Sequence, residues 1–156
     1  MPITVTNMQV EHIPAVIALE QQSELSSRGE ESYVRLLKNS DAVALVAFDE
    51  SESELVVVGC FSGWLVADEF EVDNVAVSTD SRRNGIASKL LSASLEIARR
   101  KGAVRVFLEV RAMNKPACLL YEKLGFTVVG RRKYYYRDPA DDALILSQEI
   151  VKQTGS

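Results

Sequence analysis

Residues 74 to 91 read "NVAVSTDSRRNGIASKLL", with two arginines, an asparagine and a glycine between a strand-like apolar run and a helix-like amphipathic run. A helix start presents unpaired backbone N–H groups and the positive end of the macrodipole, so it favours an anion. Gly85 lets the backbone turn and approach a ligand with no Cβ in the way, and Arg82 and Arg83 add charge suited to phosphate. The loop therefore suits a phosphate or pyrophosphate group. From these residues alone, the alternative is an ordinary helix start with solvated arginines. The stretch has neither the G-x-x-x-x-G-K-[ST] pattern of a P-loop nor the G-x-G-x-x-G of a dinucleotide-binding turn.

The elements that must position this loop can be read from periodicity. "PITVTNM" is a short strand, and "EHIPAVIALEQQSE" carries Ile13, Val16, Ile17 and Leu19 at roughly helical spacing, with Pro14 tolerated in a first turn. A polar stretch, "SELSSRGEES", leads to a second short helix around "EESYVRLLKN". "DAVALVAFD" and "ELVVVGCFSGWLVA" are β-rich runs joined by the acidic turn "DESESE", and "EVDNVAV" is a further strand. From Gly85 the period becomes helical, with Ile86, Leu90, Leu91, Leu95 and Ala98 on one face and "RRKG" as the stop. "AVRVFLEVR" alternates as a strand, "NKPACLLYEKLGF" is a helix of about three turns, and "FTVVGRRKYYY" and "DALILSQEI" are two last strands. The order β-α-α-β-β-β-α-β-α-β-β indicates an α/β domain with a mixed central sheet flanked by helices. Its strand–helix–strand unit should be parallel. No repeat or linker divides the chain, so residues 1–156 read as a single domain.

Bulk composition narrows the function. Hydrophobic residues make up 47%, well above disordered chains. Twenty-two carboxylates against eighteen lysines and arginines leave a charge of −4, which argues against nucleic-acid binding through a broad basic surface. Cys60 and Cys118 have no C-x-x-C spacing and His12 is the single histidine, so no zinc constellation is expected and no metal is required. Both cysteines sit among apolar neighbours and are expected in the core, and His12 is expected to be an ordinary first-turn residue. The beginning lacks a signal-peptide layout and no apolar run approaches about 20 residues, so a cytoplasmic protein without membrane contact is expected. Nothing in the sequence sets the oligomeric state.

"RRNGIA" resembles the [QR]-x-x-G-x-[GA] pyrophosphate signature of the GNAT N-acetyltransferase superfamily. The later stretch "LEVRAMNKPACLLYEKLGF" is similar to that of the RimI-type ribosomal-protein-alanine N-acetyltransferases, and the resemblance runs from about Val72 to Ala143. It implies acetyl-CoA as cosubstrate and the N-terminus of a protein, a ribosomal protein in particular, as acceptor. It also implies that the backbone of Val75, Ala76 and Val77 lies along the acetyl and pantetheine part. Arg82 occupies the first position of the signature; Arg83, Asn84, Gly85, Ile86, Ala87 and Ser88 would wrap the pyrophosphate, and Asn114 would contact the cofactor. Glu109 would match the general base and Tyr121 the general acid. Arg82 replaces the commoner glutamine, and "SELSSRGEES" lacks the Pro-Trp pair usual before the second helix, on the acceptor side.

The residue types can carry this chemistry. An α-amine with a pKa of about 8 is roughly a quarter neutral near pH 7.4, whereas a lysine is roughly a thousandth neutral. A terminal amine thus needs only modest help from a carboxylate. Glu109 shares a strand face with Arg105, Phe107 and Arg111, away from the apolar face of Val104, Val106, Leu108 and Val110. Tyr121 follows Asn114 by about two helical turns, and a phenol is only about 1.5 units less acidic than a thiol, so it can protonate a departing thiolate. Direct transfer is expected, because no histidine lies near Cys118 in sequence to activate it. "RRKYYYR" is read as shaping the acceptor groove, and Asp141 and Asp142 as either a solvated turn or part of that groove. The alternatives are a GNAT enzyme acting on a lysine or small amine, and a CoA-binding module without turnover.

Overall fold

The computed structural model describes residues 2–22, 28–51, 56–81 and 85–150. In chain order its elements are β1 (Ile3–Asn7), α1 (Ile13–Gln22), α2 (Glu30–Lys38), β2 (Ala42–Asp49), β3 (Val56–Val66) and β4 (Glu69–Val77). There follow α3 (Ile86–Arg100), β5 (Arg105–Arg111), α4 (Lys115–Lys123), β6 (Thr127–Arg137) and β7 (Ala140–Glu149). Short 3-10 turns at Val10–His12 and Thr79–Ser81 precede α1 and α3. The succession is the one read from the sequence.

The strands form one seven-stranded sheet in the order β1-β2-β3-β4-β5-β7-β6. Only β4 and β5 run parallel, joined across α3, and every other neighbouring pair is antiparallel. Each face carries its own apolar layer. Ile86, Leu90, Leu91 and Ala98 of α3 pack on Ala47, Val58, Phe61 and Val106, with Ala117 and Tyr121 of α4 beside them. On the opposite face, Ile13, Val16 and Leu19 of α1 and Tyr33 and Leu36 of α2 pack on Val46, Cys60 and Ala76. Coverage on both faces explains why β2 is buried almost throughout and reads as a continuous apolar run.

Two expectations change in detail. Cys60 is buried as expected, but Cys118 is half-buried and lines an apolar groove of about 360 Å³ with Phe126, Val128, Leu144 and Leu146. His12 ends a 3-10 turn: its Nδ1 accepts the Gln9 N–H at 2.9 Å and its ring meets Phe48 edge-on. Parts of "SELSSRGEES" and "DESESE" lie outside the described residues.

α3 can sit close to β3 because residue 59 is glycine. A Cβ there would stand 2.8 Å from Ile86 Cγ2 and 3.1 Å from Leu90 Cδ1. Gly59→Ala should therefore overpack this contact at a cost of about 1–3 kcal/mol. A calorimetric scan should show Tm lower by roughly 2–12 °C for a chain of this size. An unchanged Tm would mean that α3 does not rest on β3 in this way.

Candidate active site

The site begins where the sheet comes apart. β4 and β5 share register only from Glu69↔Arg105 to Glu71↔Phe107, although β4 runs on to Val77 and β5 to Arg111. The cause lies on the other edge of β4. Ser62 pairs with Asn74 and Gly63 with Val72, which leaves Asp73 as an extra residue. A bulge bends its strand and sharpens the local twist, and here it carries β4 away from β5.

Strand alternation then decides what lines the gap. The Ser78 N–H donates to Val58 O at 2.8 Å, and Cys60 pairs with Ala76 two residues back, so these positions spend their backbone groups on β3. The intervening residues, Val75 and Val77, turn their N–H and C=O groups to the β5 side. Beyond Phe107 no strand among the described residues answers them there. Ala76 places its side chain in the α1/α2 layer, and Val75 and Val77 pack on the α3/α4 layer.

The helix start lies at the same end of β4. Gly85 is the N-cap of α3 with φ 72° and ψ 16°, exposed, and among the described residues nothing lies within 4 Å of where a Cβ would be. Gly85 has no side chain with which to cap the helix, and the first-turn N–H groups of Ile86, Ala87 and Ser88 suit an anion. Ile86 anchors the turn by burying its side chain against Gly59. Arg82, Arg83 and Asn84 lie outside the described residues.

Glu109 and Tyr121 flank β5 from opposite faces of the sheet. Val106, Leu108 and Val110 point into the α3/α4 layer, so Glu109 projects on the α1/α2 side. It is exposed, with Arg132 Nη2 3.8 Å from its Oε1. Tyr121 lies on α4, half-buried in the other layer, its ring edge-on to Phe126 with centroids 5.8 Å apart. Burial, with Cys118 adding to it, pushes the Tyr121 phenol up to about 12. Among the described residues its hydroxyl has no hydrogen-bond partner.

A slot in a mixed sheet thus has a helix start beside it and a carboxylate and a phenol on its two sides. The acetyltransferase (GNAT) family model matches residues 13–126. The chain belongs to the GNAT family. It is 36% identical over 143 residues to a putative [ribosomal protein bS18]-alanine N-acetyltransferase of Bacillus subtilis, covering 91% of this chain and 92% of that one. It is also 27% identical over 149 residues to the [ribosomal protein bS18]-alanine N-acetyltransferase of Escherichia coli, covering 94% and 97%. The crystal structure of the Escherichia coli ribosomal-protein-S18-alanine N-acetyltransferase superposes with a TM-score of 0.84 at 25% identity, covering 99% of this chain and 97% of that one. The protein is an acetyl-CoA-dependent N-acetyltransferase.

The remaining expected residues of this GNAT enzyme are placed as follows. Asn114 is the N-cap of α4, where its side chain accepts the Ala117 N–H at 3.3 Å. It is exposed, and its amide nitrogen and the second lone pair of its oxygen are left for further partners. Asp141 and Asp142 are not in a solvated turn, because both lie within β7. Asp141 is buried and accepts the Met113 and Asp142 N–H groups at 3.0 and 2.7 Å. Asp142 accepts the Tyr134 N–H at 2.9 Å and Arg131 Nε at 2.6 Å, and these donors hold its carboxyl below the usual range. That clamp keeps Tyr134 at φ 54°, unusual for a bulky residue, in a bulge of β6. Arg111 stacks on Tyr136 at 4.0 Å and donates to Pro139 O at 3.0 Å, so the β6–β7 hairpin is braced on the Glu109 side of β5. Burial and, after it, the charge of Glu109 raise the Tyr136 phenol.

One cluster was not singled out from the sequence. Glu20 of α1 is 0% exposed, accepting the Tyr33 hydroxyl at 2.8 Å and the Asn74 amide at 2.6 Å. Burial raises its pKa and the two donors oppose the rise. Beside it Arg28 pairs with Asp73 at 2.8 Å, and Ser62 donates to the same carboxylate. The signal was a carboxylate on the buried stripe of α1, with Ile13, Val16 and Leu19.

The helix start can be tested directly. Gly85→Glu adds a carboxylate where an anion should sit and forces an L-residue to φ 72°. Titration calorimetry should show acetyl-CoA affinity falling by at least about 10²-fold, as expected for a like charge and lost approach. Unchanged affinity in a folded variant would move the pyrophosphate elsewhere.

Proposed function

We propose that this enzyme acetylates the α-amine of a protein N-terminus, specifically an N-terminal alanine, with a ribosomal protein as the acceptor. The observation that carries the reading is the near full-length likeness to bS18-alanine N-acetyltransferases. The opening between β4 and β5 on the Glu109 side supports it, because it gives an extended chain end access to the slot. An α-amine also suits a base of modest strength, since about a quarter is already neutral near pH 7.4.

In this reading each group has one task. The Val75 and Val77 N–H groups lie along the acetyl group, and one of them polarises the thioester carbonyl as negative charge develops on its oxygen. Gly85, Ile86, Ala87 and Ser88, with Arg82, Arg83 and Asn84, hold the pyrophosphate, and Asn114 contacts the cofactor. The amine nitrogen forms a bond to the acetyl carbon, Glu109 accepts the proton it sheds, and the C–S bond breaks. Tyr121 donates its proton to the departing thiolate from the other face of β5. If the thiol kept an aqueous pKa of about 8.5, a phenol at about 12 would give up its proton uphill by about 3.5 units. The thiolate enters the same dry surroundings, which raise its basicity too, so the gap narrows as the sulfur leaves.

Glu109→Gln keeps the shape and removes the base. On an Ala-starting peptide its loss of rate should be largest below pH 8 and shrink as the amine deprotonates itself. A pH–rate series on wild type and variant decides this, and a uniform loss would leave Glu109 a positioning role. The same peptide should outpace one offering only an internal lysine by about 10²-fold near neutral pH, in line with the neutral fractions.

Tyr121→Phe should lower kcat by about 10²-fold or more while acetyl-CoA affinity stays nearly intact. Because burial holds the phenol protonated up to about 12, wild-type kcat should show no alkaline limb from Tyr121 below about pH 11. A kcat within threefold of wild type would return Tyr121 to packing alone.

A further inference from the structure

The bulge that opens the slot is tied down on one side, and the tie is made by a carboxylate that packing alone does not call for. Asp73 and Asn74 are the two β4 residues at the register change, and both side chains are engaged on the α1/α2 face. Arg28 and Ser62 take Asp73, while Glu20 takes Asn74. The Arg28–Asp73 pair is partly open to solvent, with side chains 21% and 27% exposed, whereas Glu20 is 0% exposed. A buried carboxylate is costly unless its oxygens are filled, and here both are, by donors from two different elements. Tyr33 of α2 fixes one oxygen, so the other meets Asn74 from a set direction. Asn74 immediately precedes Val75, the first residue whose backbone turns to the slot.

We propose that Glu20 is a positioning residue for acetyl transfer: through Asn74 it holds the β4 bulge, and so the Val75 and Val77 N–H groups that meet the acetyl carbonyl. The proposal rests on the acetyl group lying along Val75–Val77. Glu20 touches neither substrate. Its effect should therefore appear in kcat, where a displaced N–H matters, rather than in acetyl-CoA affinity, most of which resides at the pyrophosphate and the helix start. It should also be insensitive to the protonation of the acceptor amine, unlike the effect of Glu109.

The experiment is a double-mutant cycle on Glu20→Gln, Asn74→Ala and the pair, with kcat, acetyl-CoA affinity by calorimetry and Tm measured for each. Each single variant should lose at least 10-fold in kcat, uniformly from pH 6.5 to 9, with affinity within threefold of wild type. The double variant should be no worse than the poorer single variant within about twofold, because both break one link. Should Glu20→Gln not fold, Asn74→Ala and the isosteric Asn74→Asp decide the matter. Asp at 74 replaces the donor with a carboxylate facing Glu20, and both variants should lose kcat with affinity kept. Multiplying losses in the cycle, or a kcat within twofold of wild type in folded Asn74→Ala, would overturn the proposal. If Gly85→Glu leaves acetyl-CoA binding intact, the placement of the cosubstrate has failed instead, and the two failures are told apart.

Discussion

The site depends on two parallel strands that stop pairing after three residues. β4 and β5 start side by side at Glu69–Glu71 and Arg105–Phe107, and the extra residue at Asp73 then carries β4 off. Without the bulge the ladder would continue, and the N–H and C=O groups of Val75 and Val77 would be spent on β5. With it, backbone that must find partners lies along an open edge. An acyl donor bearing its own amide groups can supply what a strand would have supplied. The fold thus leaves strand backbone open on the β5 side by withholding a hydrogen-bonded neighbour.

The same strand separates Glu109 from Tyr121. β5 keeps full register with β7 from Arg105 to Arg111, so its alternation is undisturbed, and Leu108 and Glu109 point to opposite faces. Glu109 is left on the side where the α1/α2 layer meets the hairpin, while Tyr121 comes to the other side on α4.

The β6–β7 hairpin is held by braces rather than by a packed core. Asp141, Asp142 and Arg111 hold the β6–β7 hairpin through backbone groups, and β6 itself is exposed along nearly its whole length. Across the slot, Glu20, Tyr33, Arg28 and Ser62 gather on the bulge.

Much of this was legible in the residues themselves. Period-2 alternation and helical stripes sufficed for the element order, because each strand and helix buries one face or, like β2, both. Gly85 marked the start of a helix, and alternation in "AVRVFLEVR" set Glu109 apart from the apolar face. These are local properties, carried by near neighbours in the chain. What the tertiary structure decided was everything that depends on residues far apart. The register slip at Asp73 exists only relative to β3, and the parting of the strands only relative to β5. Asp141 and Asp142 became clamps because β6 and the Met113 turn fold onto them, where the sequence alone left a turn and a groove equally open. Glu20 looked like one more helical carboxylate until Asn74, 54 positions away, closed on it, since a carboxylate's environment is set by what folds around it and not by its own segment.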